Sequence, residues 1–312
     1  MLKQCRSVQR PHRQKDLSAF HFEIVKGCQL RCLGCPISGL QPKVERIPVD
    51  LFDSCLRNVD VDSVGTLRLF NFGEPLLHDD LPGIASKIPL QSWSVEDVEI
   101  STNAQYADWL QLEEVIKMGV VTRVVVSCDG DSTPESYEAL RPPSKWDKLI
   151  EFLRRMRQLR DRYDPTIELI TRTIVPEWRL RHRWVDLLHP LGWTPEFRHF
   201  FYLPDSSQNM TDRELQPGTG VCFFVDNVSQ LYVDSEGTVV PCCAHPRAGA
   251  YGSLKNKVLS EILASKERAR FVETMATTRE TMAVCSSCEF GPANSPGPTR
   301  VALFPESVTS SD

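Results

Sequence analysis

Three cysteines stand within eight residues near the start of the chain: Cys28, Cys32 and Cys35, in the stretch GCQLRCLGCP, spaced C-x3-C-x2-C. Thiolates are soft metal ligands, and this spacing leaves several readings open. A structural zinc site wants four ligands, usually as two separated pairs, so three on one loop leave a position open. A [4Fe–4S] cluster held by three thiolates leaves one iron free to bind and reduce an outside molecule. Half of a disulfide framework is the remaining possibility. A second cysteine-rich stretch lies downstream: Cys222, then Gly237-x4-Cys242 with Cys243 beside it, then Cys285-x2-Cys288. By chemistry alone, four thiolates including a C-x2-C pair suit either Zn(Cys)4 or a four-cysteine [4Fe–4S] cluster. Cys243 could replace Cys242, because neighbouring residues in a strand face opposite ways.

The chain around them has 312 residues and eleven cysteines, an odd number. Its basic start, MLKQCRSVQRPHRQKD, lacks the apolar core of a signal peptide. No apolar run approaches the roughly 18 residues of a membrane span. These features predict a cytoplasmic protein with reduced thiols, where clustered cysteines are metal ligands or catalytic groups rather than disulfides. A net charge of −5 gives no global reason to expect nucleic acid or a membrane as partner.

Strands alternate with helices over the first two thirds of the chain. Residues 20–26, 64–72, 95–103, 120–130, 166–175 and 194–203 read as strands. Helical patterns occupy 48–59, 108–119, 144–163 and 181–192. This alternation predicts a parallel α/β sheet, six units that close or partly close into a barrel. Chemistry then gathers at the C-terminal strand ends. Four successive strands end in unusual text: Cys28, Gly73-Glu74-Pro75, Ser101-Thr102-Asn103 and Ser127-Cys128-Asp129-Gly130. Residues 202–220 read as a linker. A hairpin turning at Asp234–Gly237 follows, and then a helix over 259–275. The expected organisation is an N-terminal extension (1–19), a barrel (20–205), a cysteine-rich domain (206–292) and a tail (293–312).

In this setting CQLRCLGC resembles the signature of the radical S-adenosylmethionine (SAM) superfamily. The resemblance implies a partial (β/α)6 barrel whose open iron binds SAM. The cluster then reduces the sulfonium and releases a 5′-deoxyadenosyl radical that takes a hydrogen atom from substrate. FGEP, residues 72–75, resembles the family's GGEP, which holds the methionyl amino group. STN, 101–103, resembles its strand-three TN segment, and SCDG, 127–130, its S-x-D-G near the ribose and carboxylate. The implied SAM-binding residues are Gly73, Glu74, Pro75, Ser101, Asn103, Ser127 and Asp129, with Arg172 as a bidentate partner for the SAM carboxylate. Two positions depart from the family pattern. Gly34 stands where an aromatic residue often packs near adenine, and Phe72 replaces the first Gly of GGEP.

The second cysteine group resembles the SPASM or twitch extension of the same superfamily. The cysteine count suits the abbreviated twitch form, with one auxiliary [4Fe–4S] cluster on Cys222, Cys242, Cys285 and Cys288. The resemblance further implies an external electron donor such as flavodoxin or ferredoxin. It follows the logic of aminocyclitol dehydrogenases and sulfatase maturases: oxidation of a C–H or alcohol carbon, with the auxiliary cluster accepting an electron. With Cys243 as hydrogen donor the same machinery would epimerise a carbon centre. About twenty residues precede the first strand, too few for the peptide-recognition domain that many peptide-modifying relatives carry, which favours a small sugar, aminocyclitol or nucleoside; a peptide maturase of the kind that lacks that domain is the alternative. Two readings of other classes compete. One is a zinc-stabilised nucleic-acid-binding protein using Arg179, Arg181, Arg183, Trp178 and Trp184; the other is an electron carrier without SAM chemistry. Cys5, Cys55 and Cys128 read as packing residues.

Overall fold

The computed structural model describes residues 14–198, 200, 203–204, 216–292 and 299–300. Strand β1 (Asp16–Phe22) opens the main sheet, and β2 (Val25–Lys26) with β3 (Glu45–Arg46) forms a separate antiparallel ribbon. Strands β4 (Ser63–Arg68), β5 (Ser94–Thr102), β6 (Arg123–Ser127), β7 (Glu168–Ile174) and β8 (Thr194–Arg198) follow β1 in order, each parallel to the last. The cysteine-rich segment adds β9 (Gln230–Val233), β10 (Thr238–Val240) and β11 (Gly252–Ser253), and β12 (Thr299–Arg300) comes last. The sheet order is β11-β10-β9-β1-β4-β5-β6-β7-β8-β12, an open sheet of ten strands. The six parallel strands are the expected partial barrel.

The crossovers carry α1 (Pro36–Leu40), α2 (Val49–Arg57), α3 (Leu81–Lys87), α4 (Trp109–Lys117), α5 (Pro134–Leu140), α6 (Trp146–Tyr163) and α7 (Arg181–Leu188). The C-terminal segment has α8 (Phe223–Asp226), α9 (Leu259–Leu263) and α10 (Lys266–Thr278). Starts are set locally: Asp80, Asp108 and Thr133 each accept a backbone N–H of their own first turn. Among the described residues no helix is long and apolar enough to cross a membrane.

Strand alternation splits the sheet into two chemically different faces. Leu67, Leu69, Val98, Ile100, Val124, Val126, Leu169 and Phe197 are buried in one cluster with Phe52 and Leu56 of α2, Val115 of α4, and Phe152 and Met156 of α6. Burying each large apolar side chain contributes about 1.5–3 kcal/mol, so this face holds the fold. The opposite parity carries His21, Arg68, Glu99, Arg123, Ser127, Arg172, Glu196, Arg198 and Tyr232, with Ala19, Val125 and Ile170 as apolar positions among them.

Two sequence expectations are corrected. The first strand runs 16–22 rather than 20–26. Glu23 N–H still donates to Val233 O (2.9 Å), but Ile24 O then accepts from Ile47 N (3.0 Å), so 24–26 leave the sheet for the ribbon with β3. The apolar alternation is continuous through this point because both partners bury the chain. The expected helix 259–275 is two helices, because Ser265 Oγ accepts from Arg268 N (3.1 Å) and starts α10 afresh. The hairpin turn stands as expected. Asp234 Oδ1 accepts from Glu236 N and Thr238 N (2.9 and 2.8 Å), and Gly237 takes φ +76°. The expected linker falls mostly, and Cys5 wholly, outside the described residues.

The cysteine-rich segment is joined to the barrel by backbone pairing, β9 lying parallel to β1. Glu23 reinforces the joint. Its carboxyl accepts from Phe72 N and from Ser235 N, both at 3.3 Å, tying the end of β1 to the FGEP loop and to the hairpin turn. Burial pushes this carboxyl up to about 7. The folded protein therefore holds the proton more tightly than the unfolded chain, so this group's contribution to stability falls as pH rises from about 4.5 to about 7. Glu23→Gln, measured by denaturant unfolding across that window, is expected to remove a decline on the order of 3 kcal/mol relative to wild type. An unchanged pH slope would show that Glu23 is ionised in the folded protein.

Candidate functional site

The first cysteine loop leaves β2 through Gly27, whose φ of +86° suits a residue without Cβ. Its path is fixed by backbone bonds to the segment after α5: Arg31 N to Pro142 O (2.6 Å) and Leu33 N to Leu140 O (2.9 Å). Gly34 takes φ +76°, and Cys35 then caps α1. That dihedral explains the missing aromatic residue, since L side chains rarely adopt it. Ser38 Oγ donates to Cys32 O (2.7 Å) and closes the loop.

Burial pushes Cys28 up to about 11 and Cys32 up to about 12, and raises Cys35. The charge of Cys35 adds to the rise at both others, so the three sulfurs face one region. Thiols must be ionised to ligate metal. A buried trio held neutral by desolvation is a donor set that an iron–sulfur cluster's positive charge would complete.

Gly73 is where the GEP loop meets this one. A Cβ on Gly73 would lie 1.8 Å from Val25 O and 2.9 Å from Gly27 O, so only glycine allows the contact. Glu74 N then donates to Gly27 O (3.0 Å). The Glu74 carboxylate turns inward and accepts from Thr102 Oγ1 (2.7 Å), Asn103 N (2.8 Å) and Leu76 N (3.1 Å). Burial still pushes it up to about 7. Pro75 starts a buried 3₁₀ turn over Pro75–Leu77. Asn103 completes the link, its Nδ2 donating to Cys28 Sγ (3.3 Å) while its Oδ1 accepts from Gln29 Nε2 (3.1 Å). Ser101 and Ser127 stand half-buried on the polar face, with no side-chain hydrogen bond among the described residues.

Asp129 accepts from Ile174 N (3.0 Å) and from the guanidinium of Arg141. Arg141 is buried, and the charges of Cys32 and Asp129 hold its proton despite that burial. The sequence reading missed it, because its partners lie 12 and 109 residues away. Arg172 departs from expectation. Its guanidinium is closed on both oxygens of Glu99 (2.6 and 3.0 Å) and on Glu196 (3.3 Å), leaving no free fork for a cofactor carboxylate. Burial alone would raise Glu99, yet Arg172, with Arg68 and Arg123, holds it below its ordinary range.

The Arg/Trp segment is engaged internally. Trp184 is fully buried and donates to Gly130 O (2.8 Å), anchoring the SCDG loop. Arg181 lies over Trp178, Arg179 pairs with Glu177, and Arg183 faces Asp131. Cys55 and Cys128 are fully buried packing residues.

Cys222, Cys242, Cys285 and Cys288 line a single cavity together with Phe224, Met275, Phe290 and Arg279. Burial raises Cys242, Cys285 and Cys288, and the charge of Cys222 adds to each. Cys243 does not line this cavity. It sits beside Tyr232, with Arg68 and Arg198 as its charged neighbours on the polar face of the sheet. Arg279, also missed by the sequence reading, organises the cavity wall. It donates to Gly220 O (3.1 Å), Cys285 O (3.0 Å), Cys288 O (3.0 Å) and Phe290 O (2.8 Å).

Four thiols around one cavity, with the buried guanidinium of Arg279 beside them to offset negative charge, are the donor set of a four-cysteine metal centre.

The chain thus joins a partial α/β barrel, with a cysteine trio at its strand ends, to a four-cysteine pocket on its flank. Residues 22–175 match the radical SAM superfamily, and residues 222–289 match SPASM, an iron-sulfur cluster-binding domain. The chain belongs to the radical SAM superfamily, whose members use SAM and a [4Fe–4S] cluster, and its SPASM domain implies auxiliary iron–sulfur binding. Among solved structures it is similar to native anSMEcpe with bound AdoMet (TM-score 0.60, 13% identity, 87% of this chain and 88% of that one). It is also similar to BtrN in complex with AdoMet and 2-DOIA (TM-score 0.51, 14% identity, 88% and 93%). A third is native anSMEcpe with AdoMet and Kp18Cys peptide (TM-score 0.60, 13% identity, 89% and 91%). At these identities the likeness concerns the fold. No curated protein sequence matches the chain.

Two variants test the geometry. Gly73→Ala forces a Cβ onto a backbone carbonyl that cannot yield. It is expected to lower the unfolding midpoint and to cut iron in the reconstituted protein from about eight to about four per chain. Arg279→Met strips four carbonyls, two buried and two part-buried, of their donor and is expected to remove the other half of the iron, with a stability loss of about 3 kcal/mol. Full iron content in either variant would contradict the corresponding role.

Proposed function

We propose that the chain is a radical SAM dehydrogenase acting on a small sugar-, aminocyclitol- or nucleoside-type molecule. Cys28, Cys32 and Cys35 hold the cluster that binds SAM. Gly73, Glu74, Pro75, Ser101, Asn103, Ser127 and Asp129 form the strand-end rim around SAM. Cys222, Cys242, Cys285 and Cys288 hold one auxiliary cluster. When bound, the first cluster and SAM supply the radical that takes a hydrogen atom, and the auxiliary cluster supplies an acceptor for the second electron. An external donor such as flavodoxin or ferredoxin provides the first.

The observation that carries the reading is the four-cysteine cavity. Four thiolates fill all four corners of a cubane, so no corner remains to bind substrate and the site is suited to electron transfer. The chain's own residues do the positioning. Asn103 fixes Cys28, Gly73 and Glu74 fix the loop, and Arg141 supplies positive charge beside Cys32 and Asp129. The fold is shared with BtrN, whose structure holds 2-DOIA, and with anSMEcpe, whose structure holds the Kp18Cys peptide.

A second reading rests on Cys243, which lies on the polar face beside Tyr232 rather than in the auxiliary cavity. From there its thiol could give a hydrogen atom to a substrate radical, with net inversion at carbon. The sulfur radical left behind would need an electron and a proton to reset.

The test is iron content with EPR after anaerobic reconstitution. Wild type is expected to hold about eight irons, and Cys28/Cys32/Cys35→Ala about four. Adding SAM should change the reduced EPR signal of wild type alone. Cys242→Ala should lose the auxiliary iron while Cys243→Ala keeps it. Zinc in both sites would sink the proposal. Turnover in D2O separates the two readings: deuterium appears in an epimerised product and is absent from an oxidised carbon.

A further inference from the structure

On the polar face of the sheet the close carboxylate hydrogen bonds are taken by two of the four arginines. Arg172 occupies both oxygens of Glu99 and reaches Glu196. Arg123, lower on the face, pairs with Asp97 (3.1 Å) and Glu168 (2.8 Å). The other two guanidiniums keep only loose ion pairs. Arg68 stands 3.6 Å from Glu99, and Arg198 stands 3.8 Å from Glu196, both beyond hydrogen-bonding distance. The single side-chain hydrogen bond of Arg68 among the described residues is to neutral His21 Nε2 (2.8 Å).

Three nitrogens here are buried without a hydrogen-bond partner among the described residues: Arg68 Nε, Arg198 Nε and His21 Nδ1. A buried donor left unpaired costs about 1–3 kcal/mol, more when charged. The groups are neighbours. Burial, with Arg68, Arg172 and Arg198 behind it, pushes His21 well below its ordinary value, so the ring is neutral. Burial with Arg172 and Arg68 nearby lowers Arg198 to about 10, as expected of a cation short of counter-charge. Tyr232 stacks on His21 with ring centroids 4.8 Å apart, and Cys243 adjoins Tyr232. On β4 and β5, Arg68 and Glu99 sit a few residues before Gly73 and Asn103, on the same strand ends that form the SAM rim.

We propose that this face binds the substrate through an anionic oxygen group, a carboxylate or a phosphate, held by Arg68 and Arg198 beside His21. The proposal rests on the reading of the barrel's polar face as the substrate side, and it narrows the class to an acidic small molecule. Guanidiniums match both anions with paired N–H donors, and the neutral imidazole adds one more. Anion binding would satisfy the three orphaned nitrogens and leave Tyr232 and Cys243 at the edge of the bound molecule.

The experiment uses the anaerobically reconstituted holoenzyme with saturating SAM, so that the place of SAM's own carboxylate is filled. Its unfolding midpoint is measured with inorganic phosphate and with succinate, against sodium chloride at matched ionic strength. At ten times Kd, at least one anion is expected to raise the wild-type midpoint by about 2 °C or more. Arg68→Gln and Arg198→Gln should abolish the rise, and Arg68→Lys and Arg198→Lys should keep part of it. The lysine variants keep the test valid if a glutamine variant fails to fold. A response to phosphate alone points to a phosphorylated substrate, and to succinate alone a carboxylic acid. No rise with either anion, an equal rise in the double Arg68→Gln/Arg198→Gln variant, or a rise seen only without SAM would overturn the proposal. Iron content and the SAM-dependent EPR change of the same wild-type sample report the radical SAM reading separately. Anion binding in a sample lacking those signals would sink that reading and not this one.

Discussion

The contact of one glycine with one carbonyl governs the site. Gly73 packs against Val25 O at a distance no Cβ could share, and this approach lets Glu74 N reach Gly27 O. The cysteine loop has few regular hydrogen bonds of its own before α1, so its position is borrowed from this junction and from the carbonyls of Leu140 and Pro142. Once the junction is set, Glu74 can turn inward onto Thr102 and Asn103, and Asn103 can reach Cys28. Three strand ends are thereby locked together through buried polar groups, which are stabilising only when all of them are satisfied.

The two cysteine sites share one continuous sheet. The hairpin β9–β10 continues from β1, and Cys242 and Cys243 follow just past the end of β10. One sulfur lines the auxiliary cavity and the other neighbours the charged face, with a single peptide unit between them. A carboxyl at Glu23 bridges the same boundary. The inner face and the auxiliary pocket meet at the end of one strand, and a substitution there touches both.

Much of this was legible in the sequence, for identifiable reasons. The strands around Val64–Leu69, Val95–Thr102 and Arg123–Ser127 were readable because their apolar parity is unbroken and Gly-, Asn- or Asp-rich text ends them. The hairpin was readable because Asp234 and Gly237 supply the turn's own chemistry. The cysteine spacings carried both sites. The failures have physical causes as well. Residues 24–26 keep the β pattern while changing partner, and the break at Ser265 depends on a cap that competes with an otherwise continuous helical run. Arg141 and Glu23 were invisible because they act on groups remote in sequence, and Arg279 because it acts on backbone carbonyls, which no residue spacing announces. Arg172 misled for the complementary reason: its place on the strand was right, but Glu99 on β5 claims its guanidinium.

The C-terminal chain also protects the barrel from itself. Without it, the six parallel strands would end in two bare margins, β1 on one side and β8 on the other. Unpaired backbone along such margins is a template for self-association. Here β9 covers β1 from Ala19 to Phe22, and β12 covers β8 at Glu196 and Phe197. The segment that carries the auxiliary cysteines is thus also a solubility device, and deleting it to isolate the barrel would yield a sticky fragment rather than a simpler enzyme.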